Sequence, residues 1–190
     1  MAEPLILNTP RLILRDWRDA DINDLISLRG DPAVMKYFPG IDSPEKVRKI
    51  FPDIIKNSAQ TDYGFRPVIL RETNEFLGFC GIAETRFKTP FGPITEIGWS
   101  LHTKFWGNGY ATESASAWME YAFQSLGKPE IVAFTPTKNL PSQSVMKKLG
   151  MERTPARDFD HPNVPDTHSE LKRHIVYSIA KQQWESKKSS

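Results

Sequence analysis

The spacing of hydrophobic and polar residues changes along the chain and predicts both strands and helices. An alternating segment over residues 11–17 predicts a strand, and the stretch 22–26 that follows has the spacing of an amphipathic helix. A second helix begins with Ser43 as its cap and Pro44 at its first position. Pro52 lies inside this second helix, and we expect it to kink or split the helix.

In the middle of the chain the hydrophobic period shortens to that of strands. Residues 65–70, 76–84 and 94–101 predict three strands joined by turn-like segments. Because these connections are short, an antiparallel meander is favoured. Pro67 indicates that its strand lies near an edge or a bulge.

The last part of the chain alternates helices and strands. The predicted elements are a helix at 107–126, a strand at 131–134, a helix at 139–149, strands near 151–157 and 173–180, and a helical tail from Lys181. A strand, a helix and a second strand in succession imply a crossover and one parallel strand pair. We therefore expect a single α/β domain over residues 1–190, with a mixed, mostly antiparallel sheet.

Composition and charge narrow the class of protein. The chain has 190 residues, 39% hydrophobic and 25% charged, with a formal net charge of +2. These values are typical of a soluble globular protein and argue against a nucleic-acid or membrane partner. Cys80 is the one cysteine and lies in an apolar run, so we expect a buried structural thiol. Residues 1–4 lack the pattern of a secretory leader, and we expect a cytoplasmic location.

The segment Trp106-Gly107-Asn108-Gly109-Tyr110-Ala111-Thr112-Glu113 joins a predicted strand to a predicted helix. Glycines at this position let the backbone approach a ligand, and free N–H groups at a helix start favour a phosphate or pyrophosphate. A plain turn explains the Asn-Gly pair equally well. The Walker pattern and the third glycine of a dinucleotide fingerprint are both missing from this segment.

The strand at 94–101 has two faces of different character. Thr95, Ile97, Trp99 and Leu101 share a core-like face, and the opposite face has one carboxylate, Glu96, among small polar residues. Such a face lines a cleft or meets solvent. If it lines a cleft, Glu96 is a candidate general base for an amine, directly or through water.

A third segment, 139–151, begins with Asn139 as a helix cap. The three segments, in this order and spacing, resemble the GCN5-related N-acetyltransferases (GNAT), most closely the branch that contains the ribosomal-protein alanine N-acetyltransferases. The resemblance begins at Leu7-Asn8-Thr9-Pro10-Arg11-Leu12-Ile13-Leu14-Arg15 and covers nearly the whole chain.

This resemblance implies a GNAT fold, in which two parallel strands near Ile94 and Ile131 splay into a V-shaped opening and helices flank the sheet. Acetyl-CoA would be the co-substrate, without a metal. The cofactor-binding residues implied are Trp99, Ser100 and Leu101 for the pantetheine, Trp106, Gly107, Asn108, Gly109, Tyr110 and Ala111 for the pyrophosphate, and Asn139 for the pantetheine.

The resemblance also implies a catalytic pair. Glu96 would help to deprotonate the amine, and Ser142 is the candidate to protonate the CoA sulfur, with Ser144 a weaker one. Many family members carry a tyrosine where this chain has Met146, which leaves the general acid open. His161 would border the acceptor cleft, where it binds substrate or acts as a base, or it is a loop histidine beside Pro162.

Together these features predict an N-acetyltransferase that moves an acetyl group from acetyl-CoA to a primary amine, either a protein N-terminus or a small molecule. Two alternatives stay open, a non-catalytic CoA-binding regulatory module and a nucleotide-binding protein that uses the turn at residues 107–109. The expected oligomeric state is a monomer or a homodimer.

Overall fold

A nine-stranded sheet organises the chain in a computed structural model that describes residues 5–85 and 87–188. The strands are β1 (Leu7–Asn8), β2 (Leu12–Leu14), β3 (Phe65–Leu70), β4 (Phe76–Glu84), β5 (Thr95–Leu101), β6 (Glu130–Pro136), β7 (Glu152–Arg153), β8 (Phe159–Asp160) and β9 (Arg173–Ala180). The helices are α1 (Ile22–Gly30), α2 (Pro44–Gln60), α3 (Tyr110–Gln124), α4 (Leu140–Lys148), α5 (Ser169–Lys172) and α6 (Lys181–Lys188). Residues 1–4, on which the leader prediction depends, lie outside the described residues.

The strand order confirms the predicted fold class. The strands follow one another as β1-β2-β3-β4-β5-β6-β9-β7, and β8 pairs with β9. Strands β5 and β6 are parallel, whereas the other described pairs are antiparallel. Helices pack on both faces, so the fold is a mixed, mostly antiparallel sheet with flanking helices.

The parallel pair separates almost as soon as it forms. Strands β5 and β6 are in register at a single pair, Glu96 with Val132. Strand β5 is paired with β4 along its whole length, from Thr95 opposite Glu84 to Leu101 opposite Gly78. On the side that faces β6, strand β5 is therefore paired at Glu96, and the two strands separate beyond that residue.

The two faces of the sheet have separate cores. On the first face, α3 and α4 bury Ala115, Trp118, Ala122 and Met146 against the sheet. On the second face, α1 and α2 cover strands β3 and β4. A smaller cluster around Val132 covers the second face at β6 and β9. Strand β5 runs between the two clusters of the second face.

Of the two outcomes expected at Pro52, the split does not occur, and one strand prediction is confirmed. Helix α2 is continuous from Pro44 to Gln60 and is not split at Pro52. Pro52 is exposed, so the hydrogen bond that it cannot donate lies on the solvent side, while Val47 and Phe51 are buried and hold the inner side. The bulge expected near Pro67 is present, since the register of β3 shifts between Val68 and Ile69.

Two other elements differ from their predicted lengths. The strand expected near 151–157 is limited to β7, because Pro155 begins a 3-10 turn that ends the strand. Helix α3 begins at Tyr110 and not at Gly107, because Gly107 and Gly109 have φ values of 79° and 82°. Within the described residues, no helix combines the length and apolar character needed to cross a bilayer.

Candidate active site

The loop between β5 and α3 exposes a run of backbone amides. Gly109 precedes the helix in a left-handed conformation without a side-chain cap, and the first bond of the helix is the Glu113 amide to the Gly109 carbonyl at 3.0 Å. The amides of residues 107–112 have no hydrogen-bond acceptor among the described residues. These N–H groups and the helix dipole together make a site that suits a phosphate or pyrophosphate.

Side chains of the same loop hold its shape. The Asn108 side-chain amide donates to the carbonyls of Phe105 and Trp106, at 3.2 and 3.1 Å. The Trp106 ring is 48% exposed, and its Nε1 donates to the Leu101 carbonyl at 2.8 Å. The Trp106 amide donates to the Thr103 carbonyl at 3.1 Å, so this amide is already used, unlike the six that follow it. The loop is thus preorganised by its own contacts.

A contact that sequence reasoning missed joins this loop to the N-terminal segment. The Glu113 carboxylate accepts hydrogen bonds from Thr9 Oγ1 (2.6 Å), the Arg11 amide (2.9 Å) and Arg11 Nε (2.6 Å). Arg11 also donates to the Asn108 carbonyl at 3.1 Å, and its guanidinium lies 4.5 Å from the centre of the Tyr110 ring. Burial acts to raise the pKa of Glu113, but the hydrogen bonds from Thr9 and Arg11 outweigh it and lower the pKa.

Glu96 lies at the point where the opening begins. It is opposite Val132 on β6 and opposite Ala83 on β4. The face division expected for β5 is present, because Thr95, Ile97 and Leu101 are buried while Glu96 is half-buried on the opposite face. The carboxylate therefore belongs to the second face of the sheet, the one that α1 and α2 cover elsewhere.

The start of α4 lies on the first face. Asn139 caps this helix, since its side-chain oxygen accepts from the Ser142 amide at 3.3 Å and its Nδ2 donates to Thr135 Oγ1 at 2.9 Å. A side-chain amide has two N–H groups and two lone pairs, so Asn139 keeps capacity for a ligand. Ser142 is half-buried in the first turn, whereas Ser144 is exposed.

The elements that carry the two candidate catalytic residues lie on opposite faces of the sheet. Helix α4 carries Ser142 and is anchored to the first face by Met146, which is buried in the main core. Glu96 points to the second face together with Val132. Glu96 therefore lies on the second face of the sheet, whereas the helix that carries Ser142 packs on the first face.

His161 lies in what we name the aromatic cluster, a set of mutually packed rings. Its members are Phe87, Phe91, Phe134, Phe159, His161 and His174. The His161 ring centre is 4.5 Å from that of Phe87 and 4.8 Å from that of His174. Burial, with a smaller effect from the charge of His174, lowers the pKa of His161 to about 4. The ring is neutral at neutral pH, and such a low pKa makes it a poor general base.

Two further predictions concern nucleophiles and metals. Cys80 is fully buried, and its burial raises the pKa of the thiol to about 12, so it is a structural residue and not a nucleophile. Over residues 5–85 and 87–188, no group of three or more His, Cys, Asp or Glu side chains is arranged to hold a metal ion.

Comparison with known proteins gives the family. Residues 11–152 match the family model described as the acetyltransferase (GNAT) domain. The chain is 33% identical over 179 residues to an uncharacterised N-acetyltransferase of Bacillus subtilis, YnaD, covering 94% of this chain and 98% of that protein. It is 35% identical over 139 residues to the FsC-acetyl coenzyme A-N(2)-transacetylase of Aspergillus fumigatus, covering 68% of this chain and 56% of that protein.

A solved structure agrees with these relatives. The crystal structure of an acetyltransferase of the GNAT family from Bacillus anthracis superposes with a TM-score of 0.76 and 28% identity, over 94% of this chain and 99% of that one. This agreement over nearly the whole of both chains shows that they share one fold. The chain belongs to the GNAT acetyltransferase family.

Proposed function

We propose that this chain is an N-acetyltransferase that moves the acetyl group of acetyl-CoA to a primary amine. The observation that carries the proposal is the run of unpartnered amides at residues 107–112, at the end of β5 and beside the separating strand pair. The pyrophosphate of CoA would be the anion at this helix start, and its pantetheine arm would be the extended chain along the exposed edge of β5.

The expected cofactor contacts are divided between backbone and side chains. The pyrophosphate is assigned to the amides of residues 107–112, and the pantetheine to the β5 edge at Trp99 and Ser100 and to the side chain of Asn139. The Trp106 amide and the Leu101 carbonyl are already bonded within the chain. These two backbone groups are therefore not available to the cofactor, and Trp106 contributes its exposed side chain.

The proposed reaction forms one C–N bond and breaks one C–S bond. The neutral amine attacks the thioester carbonyl carbon, and Glu96 accepts the surplus amine proton through water. A strand amide near Trp99 or Ser100 stabilises the oxyanion. Collapse of the intermediate expels the CoA thiolate, and Ser142 relays a proton to the sulfur. Glu96 on β5 and Ser142 on α4 come from different elements, which allows one group to serve the amine and the other to serve the sulfur.

The acceptor, the location and the branch belong to the proposal as well. A protein N-terminus and a small-molecule amine both satisfy the chemistry, and the name of the Aspergillus relative states transfer to an N(2) position. The opening segment at residues 7–15 supports the branch of ribosomal-protein alanine N-acetyltransferases. We place the protein in the cytoplasm, without nucleic-acid or membrane partners, as a monomer or a homodimer.

The test follows release of the CoA thiol from acetyl-CoA over a panel of amines. We expect turnover, and we expect Glu96→Gln to lower kcat by about a hundredfold and to remove the basic group from the pH–rate profile. Glu84→Gln is the matched control, since Glu84 is an exposed strand carboxylate paired with Lys128 at 2.7 Å. We expect this control variant to have the same kcat as the parent protein.

Three results would contradict the proposal. CoA binding without turnover on any amine would favour a regulatory module. Retention on an ATP resin but not on a CoA resin would favour a nucleotide-binding protein. An unchanged pH–rate profile in Glu96→Gln would remove Glu96 from the role of base.

A further inference from the structure

A strip of small residues forms a floor on the second face of the sheet. Gly98 lies between Glu96 and Ser100 on the same side of β5, and all three are half-buried. The partner of Gly98 on β4 is Gly81, and the partner of Glu96 is Ala83. A Cβ on Gly81 would collide with the Gly64 carbonyl oxygen, so the backbone of residues 64–65 covers that part of the floor. The space next to the candidate base is therefore the gap that opens between β5 and β6 beyond Glu96.

The first wall of this space is a pair of phenylalanines. A Cβ added to Gly98 would meet the Phe65 ring at 3.1 Å, so the ring lies directly beside the floor. Phe65 and Phe79 pack edge to face with ring centres 5.8 Å apart. The Trp17 indole donates to the Phe65 carbonyl at 2.8 Å and fixes the backbone of this wall. Both phenylalanines are half-buried, so they also present surface to the space.

The second wall is the exposed side of the aromatic cluster. Val132 is the cross-strand neighbour of Glu96 and is buried against Phe159, a member of this cluster. Phe134, two residues further along β6, points to the same face as Val132. Its ring centre is 6.0 Å from that of Phe87, and both rings are half-buried. Glu96 therefore has phenylalanine rings on both sides of its strand.

The charges near the second wall do not suit a polycation. The carboxylate of Asp158 is bonded to Arg153, that of Asp160 is paired with Arg173, and that of Glu130 receives two hydrogen bonds from Arg157. These acidic groups are thus already compensated within the chain.

The histidine of the second wall adds no charge at neutral pH. The Asn163 amide donates to Nδ1 of His161 at 3.2 Å, so this nitrogen has no proton. With Nδ1 unprotonated, His161 is the neutral Nε2–H tautomer. It presents one polar edge within an otherwise apolar wall.

We infer that the acceptor is a primary amine with an aromatic or comparably large apolar group within a few bonds of the nitrogen. The amine lies beside Glu96 at the gap between β5 and β6, and the apolar group packs between the pair Phe65–Phe79 and the wall formed by Phe134 and Phe87. Burial of that group between rings supplies binding energy that a short aliphatic amine or a polyamine does not gain. This inference rests on the proposed transfer to an amine and names the class of that amine.

The experiment measures kcat/KM for 2-phenylethylamine, ethylamine and spermidine at saturating acetyl-CoA. We expect 2-phenylethylamine to exceed both others by about tenfold or more, given the apolar area that one ring buries. Phe134→Leu and Phe65→Leu, one from each wall, lower kcat/KM for 2-phenylethylamine by a larger factor than kcat/KM for ethylamine. Phe38→Leu is the control, since Phe38 is 48% exposed and belongs to neither wall.

The outcomes separate this inference from the proposed function. Turnover of all three amines with equal kcat/KM, or a preference for spermidine, overturns the inference and leaves the transferase intact. Failure of every amine to react overturns the proposed function. In that case a calorimetric titration of the CoA-saturated protein decides the inference, because heat with 2-phenylethylamine that Phe134→Leu weakens supports it and absence of heat overturns it.

Discussion

Arg11 and Glu113 are 102 residues apart in the chain, and their side chains meet at the start of the helix that borders the anion site. The same guanidinium reaches the carbonyl of Asn108, so it touches the exposed-amide loop on one side and the helix on the other. Glu113 lies in the first turn of α3, where a carboxylate is also favoured by the helix dipole. The pair links the first strands of the sheet to the proposed pyrophosphate loop.

Removal of this link is expected to weaken cofactor binding. We predict that Arg11→Ala raises the KM for acetyl-CoA several-fold with a small change in kcat, because the loop then loses its support at Asn108. Arg11→Lys recovers part of the loss, since an ammonium reproduces the charge but not the forked geometry. The measurement is steady-state kinetics together with thermal unfolding.

The control for this prediction is an ion pair remote from the loop. Lys172→Ala breaks an exposed pair with Asp166, and solvent and salt screen such pairs, so its kinetics stay those of the parent. A fall in thermal stability for Arg11→Ala with an unchanged KM for acetyl-CoA would limit the pair to a structural role.

The glycines at the two ends of α3 allow a matched comparison. Gly107 and Gly127 both have positive φ, 79° and 64°, and a Cβ built on either meets no atom within 4 Å. We predict that alanine at either position costs about 1 kcal/mol of unfolding free energy from left-handed backbone strain. Gly107→Ala also raises the KM for acetyl-CoA, because its methyl group projects from the exposed-amide loop. An equal rise in Gly127→Ala, measured alongside urea unfolding, would disconnect the loop from the cofactor.

Because Cys80 is buried, we expect its thiol to be unreactive in the native protein, which is useful in assays. Because burial raises the pKa of Cys80 to about 12, the thiolate is scarce at pH 8 and the sulfur is shielded from reagents. We predict that an aromatic disulfide reagent detects about one thiol per chain in denaturant and almost none in the native protein. Rapid native labelling would contradict this burial. Because Cys80 does not react, the thiol of released CoA can be measured with little background from the protein.

The aromatic cluster predicts a pH dependence of stability. Burial lowers the pKa of His161 from an ordinary 6.5 to about 4, so the unfolded chain binds a proton at a higher pH than the folded chain does. The free energy of unfolding is therefore at its full value above pH 6.5 and falls as the pH decreases from 6.5 to 4. His161→Gln has a shallower fall over that window.

The measurement for this prediction is urea unfolding at several pH values between 7 and 4. The pKa of His174 is also lowered by burial, so the variant retains part of the slope. Identical slopes for His161→Gln and the parent protein would show that His161 titrates normally in the folded state.

Local patterns were sufficient for most elements of the fold. The alternation along β5 separates buried Ile97 from half-buried Glu96, and Ser43 caps α2 by accepting from the Lys46 amide at 3.2 Å. These features depend on neighbours within a few residues, so they can be recognised directly in the sequence. The predicted split at Pro52 failed because burial of the opposite side of the helix outweighs the loss of one hydrogen bond.

The chain order by itself determined the glycine-containing loop, the helix capped by Asn139 and the strand with a single carboxylate, because each is a short-range pattern of backbone conformation or side-chain period. Only the tertiary structure decided that Arg11 meets Glu113, that β5 and β6 separate beyond Glu96, and that Phe65 and Phe134 stand on either side of that residue. These relationships join segments far apart in the sequence. They arise from sheet register and packing, for which no local spacing carries a signal.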